Sequence, residues 1–231
     1  MTIPAIRLSA LLVVLSMVCV ALADDATPFN GKNLDGWKTK GDAKKSKWAV
    51  GKAALDEKNA GAIKMEDGGA DLVNTSNAGV DLYSEAKFGD CVIEIEVFVP
   101  KGSNSGIYVM GEYEVQVYDS FGKKPEAMGA GDMGAIYSAA KPSKNPIKKP
   151  GEWNKYVIDF RAPKFDDAGK RTAKAKFVKV TLNDEVLHEN IEMNGPTPGG
   201  VTGKEAATGP IMFQGDHGPV AYRNIKITPV K

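Results

Sequence analysis

Alternation with a period of two is the feature that most constrains this chain. Over residues 90–99, Ile93, Ile95, Val97 and Val99 alternate with Glu94, Glu96 and Phe98, and Pro100-Lys101-Gly102 closes the run. Successive side chains of a strand point to opposite faces, so the pattern describes a strand with one apolar face. Similar runs recur at 152–160 (Trp153, Tyr156, Ile158, Phe160), at 174–182 (Phe177, Val178, Val180), and in two closing strands at 210–214 and 220–228. Asn183-Asp184 predicts a tight hairpin turn into residues 185–189. Trp48-Ala49-Val50 and Ala53-Ala54-Leu55 predict a short hairpin around Gly51-Lys52, and residues 57–72 read as loop and short strand. Residues 122–151, with Pro142, Pro146 and Pro150, form the longest irregular stretch, and 194–209 is a second loop rich in proline and glycine. Short strands with turn residues between them, and no helix-period segment after the N-terminal region, predict an all-β sandwich.

Polar residues of chemical interest gather in residues 104–120. A turn from Gly102 to Gly106 is expected to open this stretch, followed by two short strands hinged at Gly111. Alternation sends Tyr113, Val115 and Val117 to the core and Glu114, Gln116 and Tyr118 to the other face. Glu114 and Gln116 are then about 7 Å apart, two residue rises along one face. Asp119 joins them only if the strand bends at its end, and Glu112 is expected at the rim. His217 lies in a glycine-rich turn between the closing strands, close to Gln214 and Asp216. An imidazole titrates near neutrality and can serve as base, acid or ligand. A solvated strand face and a solvated turn histidine are the plain alternatives. His188 is expected on a sheet surface as a cross-strand partner. Arg223 shares parity with Ile225 and Ile227, which places it on the core side, where it needs a carboxylate partner or a path to a groove.

The charge balance, 30 Lys and Arg against 29 Asp and Glu, gives no basic excess to favour nucleic acid. Arg7, the apolar run 8–20 and Ala21-Leu22-Ala23 resemble a secretory leader cleaved after residue 23. The expectation is therefore a signal peptide at 1–23, a single domain at 24–231, export to the periplasm or medium, and no membrane association after cleavage. Cys19 follows Val18 where a lipoprotein signal has a small residue, so lipidation is not expected. The mature chain then holds one cysteine, Cys91, which begins an apolar strand and reads as a small buried hydrophobe.

Five motifs, in order, carry a family resemblance over essentially the whole mature chain. They are Phe29 to Trp37 (Phe-Asn-Gly-Lys-Asn-Leu-Asp-Gly-Trp), the Asn104-Ser105-Gly106-Ile107 turn with Tyr113-Glu114-Val115-Gln116 and Asp119, Gly134-Ala135-Ile136-Tyr137, Gly151-Glu152-Trp153-Asn154, and Gly209-Pro210-Ile211-Met212-Phe213-Gln214 with His217 and Tyr222-Arg223-Asn224-Ile225. Together they resemble the 3-keto-disaccharide hydrolase family, also described as 3-keto-glucoside 1,2-lyase domains. The resemblance implies a concanavalin A-like jelly roll, two antiparallel sheets face to face, whose concave sheet presents polar residues to a groove. It implies a carbohydrate substrate oxidised at C3, cleaved by β-elimination and rehydration. On that reading His217 and Glu114 transfer protons. Asn104, Gln116, Asp119, Gln214 and Arg223 contact the sugar, and Tyr137 forms a platform or lid. Family members often carry arginine where this chain has Met110. If that arginine contacts substrate, specificity here differs or activity is lost, since a thioether makes no charge-assisted bond.

No HExxH, CxxC or EF-hand spacing is present. A divalent ion held by a Glu/Asp/His cluster assembled through folding stays open. The rival reading is a non-catalytic, lectin-like glycan-binding module, in which Trp37, Tyr118 and Tyr137 stack on sugar rings and the carboxylates only accept hydrogen bonds.

Overall fold

The computed structural model describes residues 26–230, so the leader expected at 1–23 lies outside the described residues. In chain order the strands are β1 (Trp37–Lys40), β2 (Trp48–Asp56), β3 (Asn59–Asn74), β4 (Asp81–Ser84), β5 (Cys91–Phe98), β6 (Asn104–Val109), β7 (Tyr113–Tyr118), β8 (Trp153–Arg161), β9 (Lys164–Phe165), β10 (Arg171–Ala173), β11 (Lys176–Leu182), β12 (Glu185–Glu192), β13 (Met212–Phe213) and β14 (Val220–Pro229). Five of them form one sheet in the order β1-β4-β13-β6-β7, and seven form another in the order β12-β11-β8-β5-β14-β3-β2. All pairings in both sheets are antiparallel. The β9–β10 pair stands apart as a two-stranded ribbon.

The two sheets bury their apolar faces against each other, as the alternation requires. Phe213 of the five-stranded sheet stacks on Tyr222 of the seven-stranded sheet at 4.1 Å between ring centroids. Tyr113 meets Phe160 across the same interface at 5.4 Å, with the rings tilted by 43°. Each such aromatic pair adds about 0.5–1.5 kcal/mol beyond the area it buries. Val115, Val117, Ile93, Ile95, Ile158 and Ile227 fill the space between. The sandwich is the concanavalin A-like jelly roll expected from the sequence. Cys91 is buried among these side chains, and burial pushes its thiol up to about 12, so it packs as a hydrophobe.

Four local expectations are corrected. β2 runs unbroken through Gly51-Lys52, where the register shifts as a bulge against β3. The Asp71 carboxylate accepts the Ala53 N–H at 2.9 Å beside the bulge, satisfying a donor inside the strand. Residues 59–74 form a single long strand whose polar composition reflects an exposed face, with Glu66 paired to Lys52 and Lys64. Gly106 lies within β6 and not in the preceding turn. Trp37 is 8% exposed and stacks on Phe213, in the core and not on display. The Asn183-Asp184 turn is as expected, with φ of 50° and 67° at the two residues, the signature of a two-residue hairpin.

Candidate active site

The outer face of the five-stranded sheet is built by register. Tyr108 pairs with Glu114, Gly106 with Gln116 and Asn104 with Tyr118, so all six share one face. Met212 pairs with Tyr108, and the Gln214 N–H donates to the Gly106 carbonyl at 3.0 Å, bringing Gln214 alongside. Gly106 is the hub. A Cβ there would lie 2.2 Å from Oε1 of Glu114, so only glycine leaves room for this carboxyl to lie across the strand.

His217 is presented by the turn after β13. Asn74 donates to the carbonyls of Gly215 and Gly218, both at 3.0 Å, and Oδ1 of Asp81 accepts the Gly215 N–H at 3.0 Å. Nδ1 of His217 contacts the Asp216 carboxylate. With Nδ1 so engaged, Nε2 is the nitrogen left for proton transfer. From the opposite side come Tyr137, whose N–H donates to the Glu114 carbonyl at 3.1 Å, and the loop at 197–203. Thr197 Oγ1 accepts the Glu114 N–H at 3.0 Å and donates to the Glu112 carbonyl at 3.0 Å. Glu112 is not at a rim. It is 5% exposed, and its carboxylate accepts from the N–H groups of Thr202 and Gly203 and from the Thr202 hydroxyl.

These elements enclose a cavity of about 210 Å³ lined by Asn104, Tyr108, Glu114, Gln116, Tyr137, Gln214 and His217, with Pro198 and Gly199. Two larger cavities of about 470 Å³ lie elsewhere, one on the outer face of the seven-stranded sheet and one beside the β6–β7 turn. Convergence of polar groups, not size, singles out the smaller one. Glu114 is 3% exposed, and its carboxyl is raised to about 7. Burial is the main cause, countered by Tyr108 and His217 and reinforced by Asp81 and Asp216. The Tyr108 hydroxyl donates to the Pro198 carbonyl at 3.1 Å, and Glu114 competes for that same proton. A protonated Glu114 removes the competition, because the hydroxyl then accepts from Glu114 while donating to Pro198. Around this carboxyl, the side-chain oxygens of Asn104, Gln116 and Gln214 are all buried with no hydrogen-bond partner.

The structure thus gathers Glu114, His217, Asn104, Gln116, Gln214 and Tyr137 into one cavity and leaves two expected members out. Asp119 closes the turn before β6, accepting the Gly102 N–H at 2.8 Å and the Phe121 N–H at 3.2 Å. Arg223 is on the outer face of the other sheet, where it pairs with Glu96 at 2.7 Å and lies 4.0 Å over the Trp153 ring. Parity failed there because β14 bulges. Its register against β5 shifts between Arg223 and Lys226, and Asn224 has φ 51°. Tyr222 and Ile225 therefore both face inward with two residues between them. His188 is structural as expected, but it is buried: its Nε2 bonds the Gly134 carbonyl at 2.8 Å and holds the long loop under the site. Burial lowers its pKa. Met110 occupies the β6–β7 turn with φ 54° and lines the neighbouring cavity, not that of Glu114.

Sequence reasoning missed Tyr108, Asp81, Thr197 and Pro198. Tyr108 had a usable signal, since it shares parity with Asn104 and Gly106. The 197–198 loop had none, because its position depends on Glu112 and Glu114 far away in the chain. Among the described residues, no group of three or more His, Cys, Asp or Glu side chains is close enough to hold a metal ion.

The comparisons agree with this fold. A solved structure from Parabacteroides distasonis ATCC 8503, provisionally labelled a glycosyl hydrolase, is 29% identical and superposes with a TM-score of 0.68 over 90% of this chain and 84% of that one. A second structure from the same organism, with the same label, is 18% identical with a TM-score of 0.59 over 90% of this chain and 94% of that one, and shares the fold. No curated protein matches the chain. The family model of the 3-keto-alpha-glucoside-1,2-lyase-like domain matches residues 25–228, nearly all of the described structure, and the chain belongs to that family of carbohydrate-active, glycosyl-hydrolase-like domains.

Proposed function

We propose that this protein cleaves glycosides already oxidised at C3 of the sugar, by β-elimination followed by rehydration. The observation that carries the reading is the buried carboxyl of Glu114, poised at about 7 among three unpartnered amide oxygens. Buried acceptors without donors are costly, and a ligand dense in hydroxyls supplies the donors they lack. A carboxyl that titrates near neutrality both accepts and delivers protons at working pH.

The chemistry suits the residues. A ketone at C3 acidifies the hydrogen on C2. A base removes that proton, its electron pair becomes the C1–C2 double bond, the C1–O bond breaks, and the departing oxygen takes up a proton. Water then adds across the double bond to give the free 3-keto sugar. His217 and Glu114 are the proton-transfer pair, and the amides of Asn104, Gln116 and Gln214 hold the hydroxyls and the developing enediolate. Asp216 fixes the His217 tautomer, and Tyr137 forms a wall of the sugar cavity. The leader-like residues 1–23 support export. Recovery of protein whose first residue is Asp24 tests that part.

Turnover on a 3-keto-disaccharide, with its unoxidised parent as control and each with and without a chelator, tests the whole. Release of the C1 substituent from the keto form alone is expected, and His217→Ala should lower it about 10²–10⁴-fold. Measurable binding of both sugars with release from neither would overturn the enzyme reading in favour of a lectin-like module.

A further inference from the structure

We infer that Asp81 and Lys40 are a positioning pair that ties the turn carrying His217 to the 197–203 loop across the Glu114 cavity; their effect on turnover rests on the proposed function, and the tie itself does not. Asp81 of β4 stands directly opposite Lys40 of β1. Phe213 pairs with Leu82 on one side and Ile107 on the other, all three on the core face. The next residues along, Asp81 and Gln214, therefore share the outer face with Gly106 and Gln116.

A carboxylate on an outer face is ordinarily exposed, yet Asp81 is 8% exposed. Each of its oxygens is taken toward a different wall of the site. Oδ1 accepts the Gly215 N–H at 3.0 Å, in the turn that presents His217. Oδ2 accepts from Nζ of Lys40 at 3.3 Å, and the same ammonium donates to the Gly199 carbonyl. An ammonium has three donors, so it makes both bonds at once. Gly199 lines the Glu114 cavity and lies close against Tyr108, since a Cβ there would stand 2.7 Å from the phenol oxygen. The bonds thus run from the His217 turn, through Asp81 and Lys40, to the backbone beside Tyr108 and Glu114. The plain alternative is an ion pair that only fastens the edge strand β1. Lys38 supplies the contrast: it lies on the same strand and pairs with Glu85 at 2.7 Å, both ends exposed, without lining the Glu114 cavity.

The pair also faces Glu114 electrically. The groups around that carboxyl are His217 and Asp216 from the turn after β13, Asp81 from β4, the Tyr108 phenol from β6 and the Tyr137 phenol from the long loop. The 197–203 loop brings no titratable side chain. Burial is the main cause of the raised Glu114 carboxyl, Asp81 adds to it, and Lys40, paired with Asp81, offsets that charge. Removing one end of the pair therefore moves Glu114 in the opposite direction from removing the other.

Asp81→Asn keeps an oxygen for the Gly215 N–H and gives up the charge. Lys40→Met keeps the stem and gives up the ammonium. On a 3-keto-disaccharide, well below the melting temperature, each should lower kcat/KM about ten-fold or more. The double variant should be no worse than the weaker single one, because both break the same tie. Lys40→Arg should recover most of the loss, and Lys38→Met should stay within about two-fold of wild type. Two further measurements need no substrate. Carbon-13 NMR titration of the Glu114 carboxyl, assigned with Glu114→Gln, should show a lower midpoint in Asp81→Asn and a higher one in Lys40→Met, each by roughly 0.5 pH unit or more. The Val201 amide donates to the Gly111 carbonyl at 2.8 Å, in a loop that Asp81 reaches through Lys40. Its hydrogen exchange should quicken about three-fold or more in Asp81→Asn. Losses in kcat/KM no larger than that of Lys38→Met, or losses that add in the double variant, would overturn the positioning role. Glu114 shifts of the same sign in both variants, or unchanged Val201 exchange, would overturn the tie. If wild-type protein cleaves no 3-keto-disaccharide, the proposed function fails, and the two substrate-free measurements still decide whether the tie exists.

Discussion

The outer faces of the two sheets carry similar residues to opposite ends. On the seven-stranded sheet, Glu94 pairs with Lys155 at 2.9 Å, Glu96 with Arg223 at 2.7 Å, and Arg223 covers Trp153. Asn224 and Arg223 hold the Glu96 carboxyl below the usual carboxylate range against the cost of its partial burial. On the five-stranded sheet, Glu114 has no cation bonded to it, is raised to about 7, and is surrounded by amide oxygens without donors. One face has satisfied its polar groups internally. The other leaves three buried amide oxygens open to donors from outside the protein. A count of polar residues does not distinguish a surface from a site, but the balance of donors and acceptors does.

Exchanging single groups on the two faces should break the comparison most sharply. Glu114→Gln should reduce turnover of a 3-keto-disaccharide about 10²–10⁴-fold, whereas Glu96→Gln should leave it within about two-fold, both read as kcat/KM on folded protein. Equal effects from the two would show that the faces do not differ in function. Next comes the hub. Gly106→Val forces a Cβ into the Glu114 carboxyl, and a loss of roughly 100-fold in kcat is expected, with a stability cost of about 1–3 kcal/mol. Thermal melts alongside the kinetics separate the two effects.

The pH dependence of stability should differ between wild type and Glu114→Gln. Glu114 binds its proton more tightly folded than unfolded, so between about pH 4.5 and 7 the folded state keeps a proton that the unfolded state has lost. Its contribution is favourable below that window and is lost as pH rises through 7, by up to roughly 3 kcal/mol. Asp81, also raised, acts in the same direction, whereas His188, lowered, weakens the fold on the acid side. Subtracting the two proteins isolates Glu114: Glu114→Gln should gain stability over wild type between pH 5 and 8. A flat difference in denaturant midpoints would remove the perturbed carboxyl from the account. The smallest expected effect is Arg223→Met, about 1 kcal/mol of stability from a partly exposed ion pair and ring contact, with activity unchanged.

These contrasts also mark what the sequence discloses. The sandwich was legible because residues 90–99 and 113–118 alternate cleanly, and the same alternation placed Glu114 and Gln116 on one face. It failed at Arg223, where a bulge adds a residue to β14 and reverses the parity that follows, and in residues 48–56, where β2 runs on while β3 carries the extra residues opposite Gly51 and Lys52. A bulge depends on cross-strand hydrogen bonds, which no local pattern records. Asp119 was misplaced because the strand ends in a turn that uses its carboxylate. The depth of the site was hidden for a different reason. Thr197 and Pro198, which bond Glu114 and its strand partner Tyr108, are brought there by contacts distant in sequence.

Elimination across C1 and C2 is the central claim, and solvent deuterium tests it most directly. The protein is allowed to cleave a 3-keto-disaccharide in D₂O, and the early product is read by NMR against a control of 3-keto-glucose incubated in D₂O without protein. The account predicts deuterium at C2 of the product at a rate matching cleavage and well above the control. Cleavage that retains the original hydrogen at C2 would contradict it, because the bond at C1 would then have broken without proton abstraction.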